Sequence, residues 1–323
     1  MARNLVTGGL GFFGTYLARE LLADGEEVIL FQRRSRLPPS AADLAGKVEI
    51  HSGDIGNLVQ VLEVLKKYDI ETVYHTAALL SKDCEYSAAN GFRVNVVGTV
   101  NFLEAARLLG IKDVIFVSSG ATYGVNTPPK KVFNDTPQNP ENMYTTTKVC
   151  CERLGEQYYR QYGVNFRAIR YAMVVGPTRQ ISYYYGDWSG IIERTALGQS
   201  YVVHSNPKAP CAYIYIKDAV RAMIELKKTE ASRLRQRVYN VHGFMATLSE
   251  VAEQIKKRIP DVKITFEWDK SEAMKTANSG VSYEMDNTVA FEDSGYQTQY
   301  FLDEMVEDFI KEVRAGRAGQ AAQ

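Results

Sequence analysis

The chain has 323 residues, 45% hydrophobic and 24% charged, enough for a sizeable core or two coupled lobes. Thirty-eight Lys and Arg balance 38 Asp and Glu, so a nucleic-acid or acidic-membrane partner, which demands a basic surface, is excluded. No run approaches the roughly 20 apolar residues of a membrane helix, and a strand-like run follows Met1 almost at once, so no leader is expected.

The first half alternates short apolar runs with helical patterns. Strands are expected at Asn4–Thr7, Glu27–Gln32, Val48–His51, Thr72–His75, Asp113–Ser118 and Asn165–Tyr171. Helices are expected at Phe12–Ala23, Leu58–Tyr68, Asn90–Leu109 and Tyr144–Tyr162, with Gly25, Gly110 and Gly163 as stops. This alternation predicts βαβ units and a parallel sheet covered on both faces. After Gly176-Pro177 the pattern loosens. Ile181–Trp188 reads as a Tyr- and Gly-rich loop, followed by a helix at Ile191–Leu197 and strands at Tyr201–His204 and Ala212–Ile216. Helices at Asp218–Lys228, Leu248–Arg258 and Leu302–Val313, a strand at Val262–Phe266 and a loop at Ser271–Met285 complete the chain. The fold class is therefore α/β: a Rossmann doubly wound parallel sheet with a smaller, mostly C-terminal α/β substrate lobe. Residues 1–172, with a contribution from 211–241, form the dinucleotide domain, and 173–323 mainly the substrate lobe.

Cys84, Cys150, Cys151 and Cys211 form no CxxC pair, and His51, His75, His204 and His242 are scattered. Reduced thiols in the cytoplasm and no metal site are expected.

Between the first strand and first helix lies Thr7-Gly8-Gly9-Leu10-Gly11-Phe12-Phe13-Gly14. In this context a GxxGxxG run is a dinucleotide loop: Gly8 permits the tight turn, Gly11 lets backbone approach a pyrophosphate, and Gly14 brings helix to strand. The helix start supplies free N–H groups for phosphates. An acid usually closes the second strand to hold the ribose, but here stand Gln32, Arg33 and Arg34. A guanidinium grips a 2′-phosphate that a carboxylate would repel, so NADP(H) is favoured over NAD(H). Asp54, followed by Ile55, could accept from an adenine amino group or cap the helix near Leu58.

Tyr144 and Lys148 are one turn apart on one helix face, and Ser118-Ser119 ends the preceding strand at the ligand-binding edge of such a sheet. Oxidising an alcohol needs a base for the hydroxyl proton. An ammonium beside a phenol favours the phenolate, and a serine can donate to the substrate oxygen. A second YxxxK, Tyr213–Lys217, runs from strand into helix, so its pair need not share a face.

With these residues assembled, the chain resembles the extended short-chain dehydrogenase/reductase superfamily along nearly its whole length. The likeness rests on Thr7–Gly14, Gly53-Asp54, His75-Thr76-Ala77-Ala78, Val94–Thr99, Ser118–Gly124, Tyr144–Lys148, Arg170-Tyr171 with Gly176-Pro177, and Ala212–Ala219. It implies catalysis by Ser119, Tyr144 and Lys148. It also implies dinucleotide contacts from Gly8, Gly11, Phe12, Phe13, Gly14, Arg33, Arg34, Asp54, Ile55, Thr76, Ala77, Ala78, Asn95, Ser118 and Tyr171, with Tyr144 and Lys148 sharing in them. A homodimer through Asn90–Leu109 and Tyr144–Tyr162 is implied too.

Three departures narrow the function. Ala172-Met173 replaces the Phe-Asn usual in the superfamily's epimerases, and Pro210-Cys211-Ala212 lacks the arginine that grips a substrate diphosphate. Gly120-Ala121 replaces the Asp-Glu of its dehydratases. The reading is therefore an NAD(P)-dependent oxidoreductase interconverting a secondary alcohol and a ketone. An epimerase with a tightly retained cofactor is the alternative. Ala77–Ser81 is also similar to the superfamily's L-threonine dehydrogenases, which points to a small hydroxy or keto substrate. Ser81, Thr122, Met173 and Tyr185 are the expected substrate contacts, and Tyr183–Tyr185 with Trp188 could wall an apolar pocket.

Overall fold

The computed structural model describes residues 2–124, 131–177, 186–268 and 281–316. Strand β1 (Arg3–Thr7) sends Leu5 and Val6 to opposite faces, each into a different buried cluster. Helix α1 (Phe12–Ala23), β2 (Glu27–Gln32), β3 (Glu49–Ser52), α2 (Leu58–Lys67) and β4 (Thr72–His75) follow. After short helices α3 (Ser81–Tyr86) and α4 (Ala88–Phe92) come α5 (Gly98–Leu109), β5 (Asp113–Ser119), β6 (Lys131–Val132), α6 (Met143–Tyr162), β7 (Phe166–Tyr171) and β8 (Met173–Val175). The second half runs α7 (Gly186–Ala196), β9 (Tyr201–Val203), β10 (Cys211–Tyr215), α8 (Ile216–Lys228), β11 (Val238–Val241) and β12 (Phe244–Ala246). It closes with α9 (Leu248–Arg258), β13 (Ile264–Phe266), β14 (Glu284–Met285), α10 (Thr288–Ser294) and α11 (Leu302–Arg314).

Seven strands form one sheet in the order β11-β7-β5-β4-β1-β2-β3, and every adjacent pair is parallel. The order reverses between β1 and β4, which opens a crevice at the carboxyl ends of these strands. Phe102, Leu103, Phe116 and Phe166 belong to the cluster that takes Leu5; Tyr16, Leu17, Ala219 and Met223 belong to the one that takes Val6. The core thus lies on both faces of the sheet. Beside it, β8, β10 and β12 form a three-stranded sheet, while β9 pairs β13 and β6 pairs β14.

The long helix expected over Asn90–Leu109 is interrupted by a widened π turn at Arg93–Val97. Strands β8 and β12 and helix α3 escape a periodicity reading because three to six residues carry too little pattern. Trp188, expected in a loop, lies inside α7. Among the described residues no helix is long and apolar enough to cross a membrane.

Candidate active site

The glycine loop is built so that side chains cannot intrude. Gly8 has φ +63°, and a Cβ there would stand 3.0 Å from Ala77 Cα. A Cβ on Gly14 would come within 2.6 Å of Gly8 O and Gly9 Cα, both backbone. Gly11 caps α1 without a side-chain bond, so the first-turn N–H groups stay available to an anion. This cradle fits a dinucleotide pyrophosphate. Phe12 and Phe13 open the helix half-buried, with Phe13 5.3 Å from the Tyr171 ring.

At the end of β2, Gln32 Oε1 accepts the Leu10 N–H at 3.1 Å, and its Nε2 donates to Arg34 O. Ser52 Oγ donates to Arg33 O at 3.2 Å. The Arg33-Arg34 backbone is therefore pinned beside the glycine loop while both side chains are exposed. Asp54 does not cap α2; Asn57 does, accepting from Val59 and Gln60 N–H. Asp54 instead accepts from Gly56 N at 2.8 Å and pairs with Arg93 at 2.9 Å. Partial burial would raise its pKa, but the Gly56 N–H, Arg93 and the charge of Arg33 hold it below the ordinary carboxylate value.

A buried hydrogen-bond chain organises the next loop. Thr99 Oγ1 donates its single proton to Asn95 O at 2.6 Å, so His75 Nε2, 3.1 Å away, must carry the hydrogen. Nδ1 then accepts from Thr7 Oγ1 at 2.8 Å. The Thr7 oxygen in turn accepts the N–H groups of Thr76 and Ala77, each at 3.1 Å, and Thr76 Oγ1 donates to Thr7 O. Burial, reinforced by the Lys148 charge, pushes the His75 pKa down to about 3, so the imidazole stays neutral. Thr76, Ala77 and Ala78 thus sit half-buried beside Gly8 at the crevice. Sequence reasoning gives Thr7 and His75 no role of their own in the site; the signal that could find them is their position at the two strand ends flanking the crevice.

The helix that carries Tyr144 and Lys148 is fixed at its start. Asn142 accepts from Thr145 N at 2.9 Å, and Glu85 accepts from Met143 N at 2.8 Å. Asn95 exchanges bonds with Leu79 N and O and donates to Thr147 Oγ1 at 3.0 Å, tying the loop after β4 to α6. Half-buried Tyr144 follows, and Lys148 Nζ lies 5.7 Å from its ring centroid. Lys148 is buried; its ammonium donates to Val117 O at 2.6 Å and stands 4.5 Å over the Phe116 ring. Burial pushes its pKa down to about 8, against the opposing pull of Cys151, Glu152 and Cys84.

Strand alternation separates the two serines. Ser119 is half-buried, and its Oγ accepts Ala121 N–H at 3.2 Å, which leaves its own proton to donate. Ser118 turns the other way and donates to Glu152, so only its backbone is available to a dinucleotide. Thr122, an expected substrate contact, is fully buried and donates to Ser119 O at 2.8 Å; it supports the serine from behind. Met173 is buried in β8 beside Tyr213 and is likewise packing.

Beneath this set lies a buried polar network that sequence reasoning missed. Arg170 donates to both Glu152 oxygens, and Gln138 adds a bond to Glu152 at 2.9 Å. Arg170 also donates to the Tyr123 hydroxyl at 2.6 Å and to Asn134 O at 2.9 Å. Its sequence signals are Glu152, a turn after Lys148 on the same helix, and Arg170 of the Arg170-Tyr171 segment.

Tyr171 donates to Ala219 O at 2.7 Å and offers its ring to Phe13. Ile55 is buried and its carbonyl accepts from Asn101. Ser81 starts α3, half-buried. Trp188 packs at 5.1 Å on Tyr213. Tyr183–Tyr185 lie outside the described residues. The second YxxxK is used differently: Lys217 pairs with Asp308 at 2.6 Å and Glu312 at 2.9 Å, which docks α11. Among the described residues no cluster of metal-ligating side chains occurs.

The chain is 31% identical over 307 residues to the mitochondrial L-threonine 3-dehydrogenase of Sus scrofa, covering 94% of this chain and 80% of that protein. It is 31% identical over 265 residues to the D-erythronate dehydrogenase of Cupriavidus necator, covering 78% and 81%. The X-ray structure of L-threonine dehydrogenase from Clostridium difficile superposes with a TM-score of 0.89 at 26% identity, covering 99% of both chains. The NAD dependent epimerase/dehydratase family matches residues 4–241, about three quarters of the sequence, and with the glycine cradle, the parallel sheet and the Tyr144–Lys148 helix in place the chain belongs to that family.

Proposed function

We propose that the protein is an NADP(H)-preferring oxidoreductase that interconverts a small secondary alcohol and its ketone, with a β-hydroxy acid such as L-threonine as the first substrate to try. The observation that carries this is Lys148, whose ammonium lies 5.7 Å from the Tyr144 ring centroid and donates to Val117 O, two residues before Ser119, whose own proton is left to donate by its Ala121 bond. A bound nicotinamide supplies the acceptor or donor of hydride. In oxidation the substrate hydroxyl gives its proton to the Tyr144 oxygen. Lys148 favours the phenolate by its charge. The Ser119 O–H steadies the charge growing on the substrate oxygen. The α1 N-terminus would hold the pyrophosphate, and Arg33 the 2′-phosphate. The substrate class is supported by the two dehydrogenase relatives and by Pro210-Cys211-Ala212, which puts no cation at the head of β10 for a sugar-nucleotide diphosphate.

A homodimer through α5 and α6 is part of this reading. It is supported by exposed Leu108, Leu109 and Tyr162 at the ends of those helices, and light scattering at twice the monomer mass checks it. The four free thiols suit a reducing compartment, the cytoplasm. The deciding experiment is Tyr144→Phe, assayed with L-threonine and NADP+ or NAD+. Turnover should vanish while cofactor affinity stays within about twofold. Full activity in the variant would sink the mechanism.

A further inference from the structure

Ser119 is held from a second direction, by a segment far along the chain. Over Val281–Asp286 burial alternates: Val281, Tyr283 and Met285 point inward, and Ser282 is exposed. Both ends of the segment are fixed. Val281 O accepts Ala212 N at 2.7 Å, and Asp286 N donates to Val132 O at 2.7 Å. Lys131 pairs with Glu284 at 3.0 Å and Asp286 at 3.1 Å, and Asn287 donates to His242 O at 2.9 Å.

From this anchored strand the Tyr283 hydroxyl donates to Gly120 O at 2.8 Å, across 163 residues of sequence. Burial raises the Tyr283 pKa, so the hydroxyl remains a donor. Met285 closes the same side. A Cβ on Gly120 would meet its Sδ at 2.5 Å, and Tyr171 O at 3.1 Å. The Gly120 carbonyl belongs to the same rigid peptide plane as the Ala121 N–H, the group that bonds Ser119 Oγ. Fixing one end of that plane fixes the other, and polarising its C=O strengthens its N–H as a donor.

We propose that Tyr283 is a positioning residue: by holding the Gly120–Ala121 peptide plane it aims the Ser119 hydroxyl at the substrate oxygen, which links the C-terminal segment to the reacting centre. This rests on the reading of Ser119 as the substrate-oxygen donor. The test is Tyr283→Phe in the full chain, with two readouts. Hydrogen exchange of residues 119–124 should quicken about tenfold, the effect of losing one buried hydrogen bond, while β1 and α6 keep their protection. With L-threonine and the preferred cofactor, kcat should fall about tenfold while NADPH affinity holds. The exposed neighbour change Ser282→Ala should move neither. Unchanged exchange at 119–124 overturns the proposal. So does faster exchange throughout the chain with kcat intact, since Tyr283 would then only support the fold. If the unaltered protein oxidises no L-threonine, the substrate proposal fails by itself, and exchange at 119–124 still decides the role of Tyr283.

Discussion

Glu152 and Arg170 form a bidentate ion pair in which neither side chain is more than 3% exposed. The pair joins α6 to β7, and Ser118 and Tyr123 extend it on either side of Ser119. It therefore sets the spacing between the helix that carries Tyr144 and Lys148 and the strand end that carries Ser119. Glu152, Arg170, Ser118 and Tyr123 all find hydrogen-bond partners within it, which is what makes a buried network rigid rather than costly. Glu152→Ala strands a buried guanidinium and should cost about 3–5 kcal/mol of stability. Urea unfolding reads it directly, and a loss below about 1 kcal/mol would show that water or a neighbour replaces the carboxylate.

Lys148 predicts a trade between activity and stability. Its folded-state pKa of about 8 lies below the ordinary lysine value, so between pH 8 and 10.5 the unfolded chain binds more protons than the folded one. Stability from this group rises with pH across that window, and below pH 8 the folded protein carries the full cost of burying the charge. Lys148→Met should abolish turnover yet raise the melting temperature at pH 7. The gain is at most about 3 kcal/mol, reduced by the lost bond to Val117, and fades toward pH 10.5. An unaltered or lower melting temperature at pH 7 would count against this account.

His75 should make the protein acid-labile. Its folded pKa is depressed to about 3 against an unfolded value near 6.5, so the stability it contributes is complete above pH 6.5 and lost as pH falls toward 3. The slope is at most about 1.4 kcal/mol per pH unit for one proton. His75→Gln should flatten the 3–6.5 portion of a pH–stability curve while loosening the loop at Thr76-Ala77. A curve of the same slope in the variant would assign the acid limb to other groups.

Arg33 tests cofactor choice. Its backbone is pinned by Ser52 and its side chain is exposed beside the glycine loop. Arg33→Ala should weaken NADPH binding about tenfold or more, because the 2′-phosphate forfeits a charge-assisted hydrogen bond, and leave NADH nearly unaffected. Nicotinamide fluorescence titration after gel filtration reads both. Cofactor that survives filtration would instead favour the epimerase alternative, and equal losses for both dinucleotides would remove the 2′-phosphate argument.

What the sequence determined by itself was local. The spacing of Gly8, Gly11 and Gly14 and the one-turn spacing of Tyr144 and Lys148 are short-range. Backbone sterics and helix periodicity fix their meaning before any tertiary contact forms. The alternation of apolar runs likewise dictated a parallel αβ sheet. Tertiary structure decided the rest. Asp54 and Asn57 both had the chemistry to cap α2, and the arrival of Arg93 from a distant turn drew Asp54 away. Thr122 has the chemistry of a substrate contact, but the turn Gly120–Tyr123 buries it behind Ser119. Glu152 with Arg170, and Tyr283 with Gly120, meet across different elements, and no period or spacing in one sequence marks such a pair. Those long-range bonds hold Ser119 and the helix of Tyr144 and Lys148 in register, because side chains from separate elements keep their geometry only where the backbone between them is clamped.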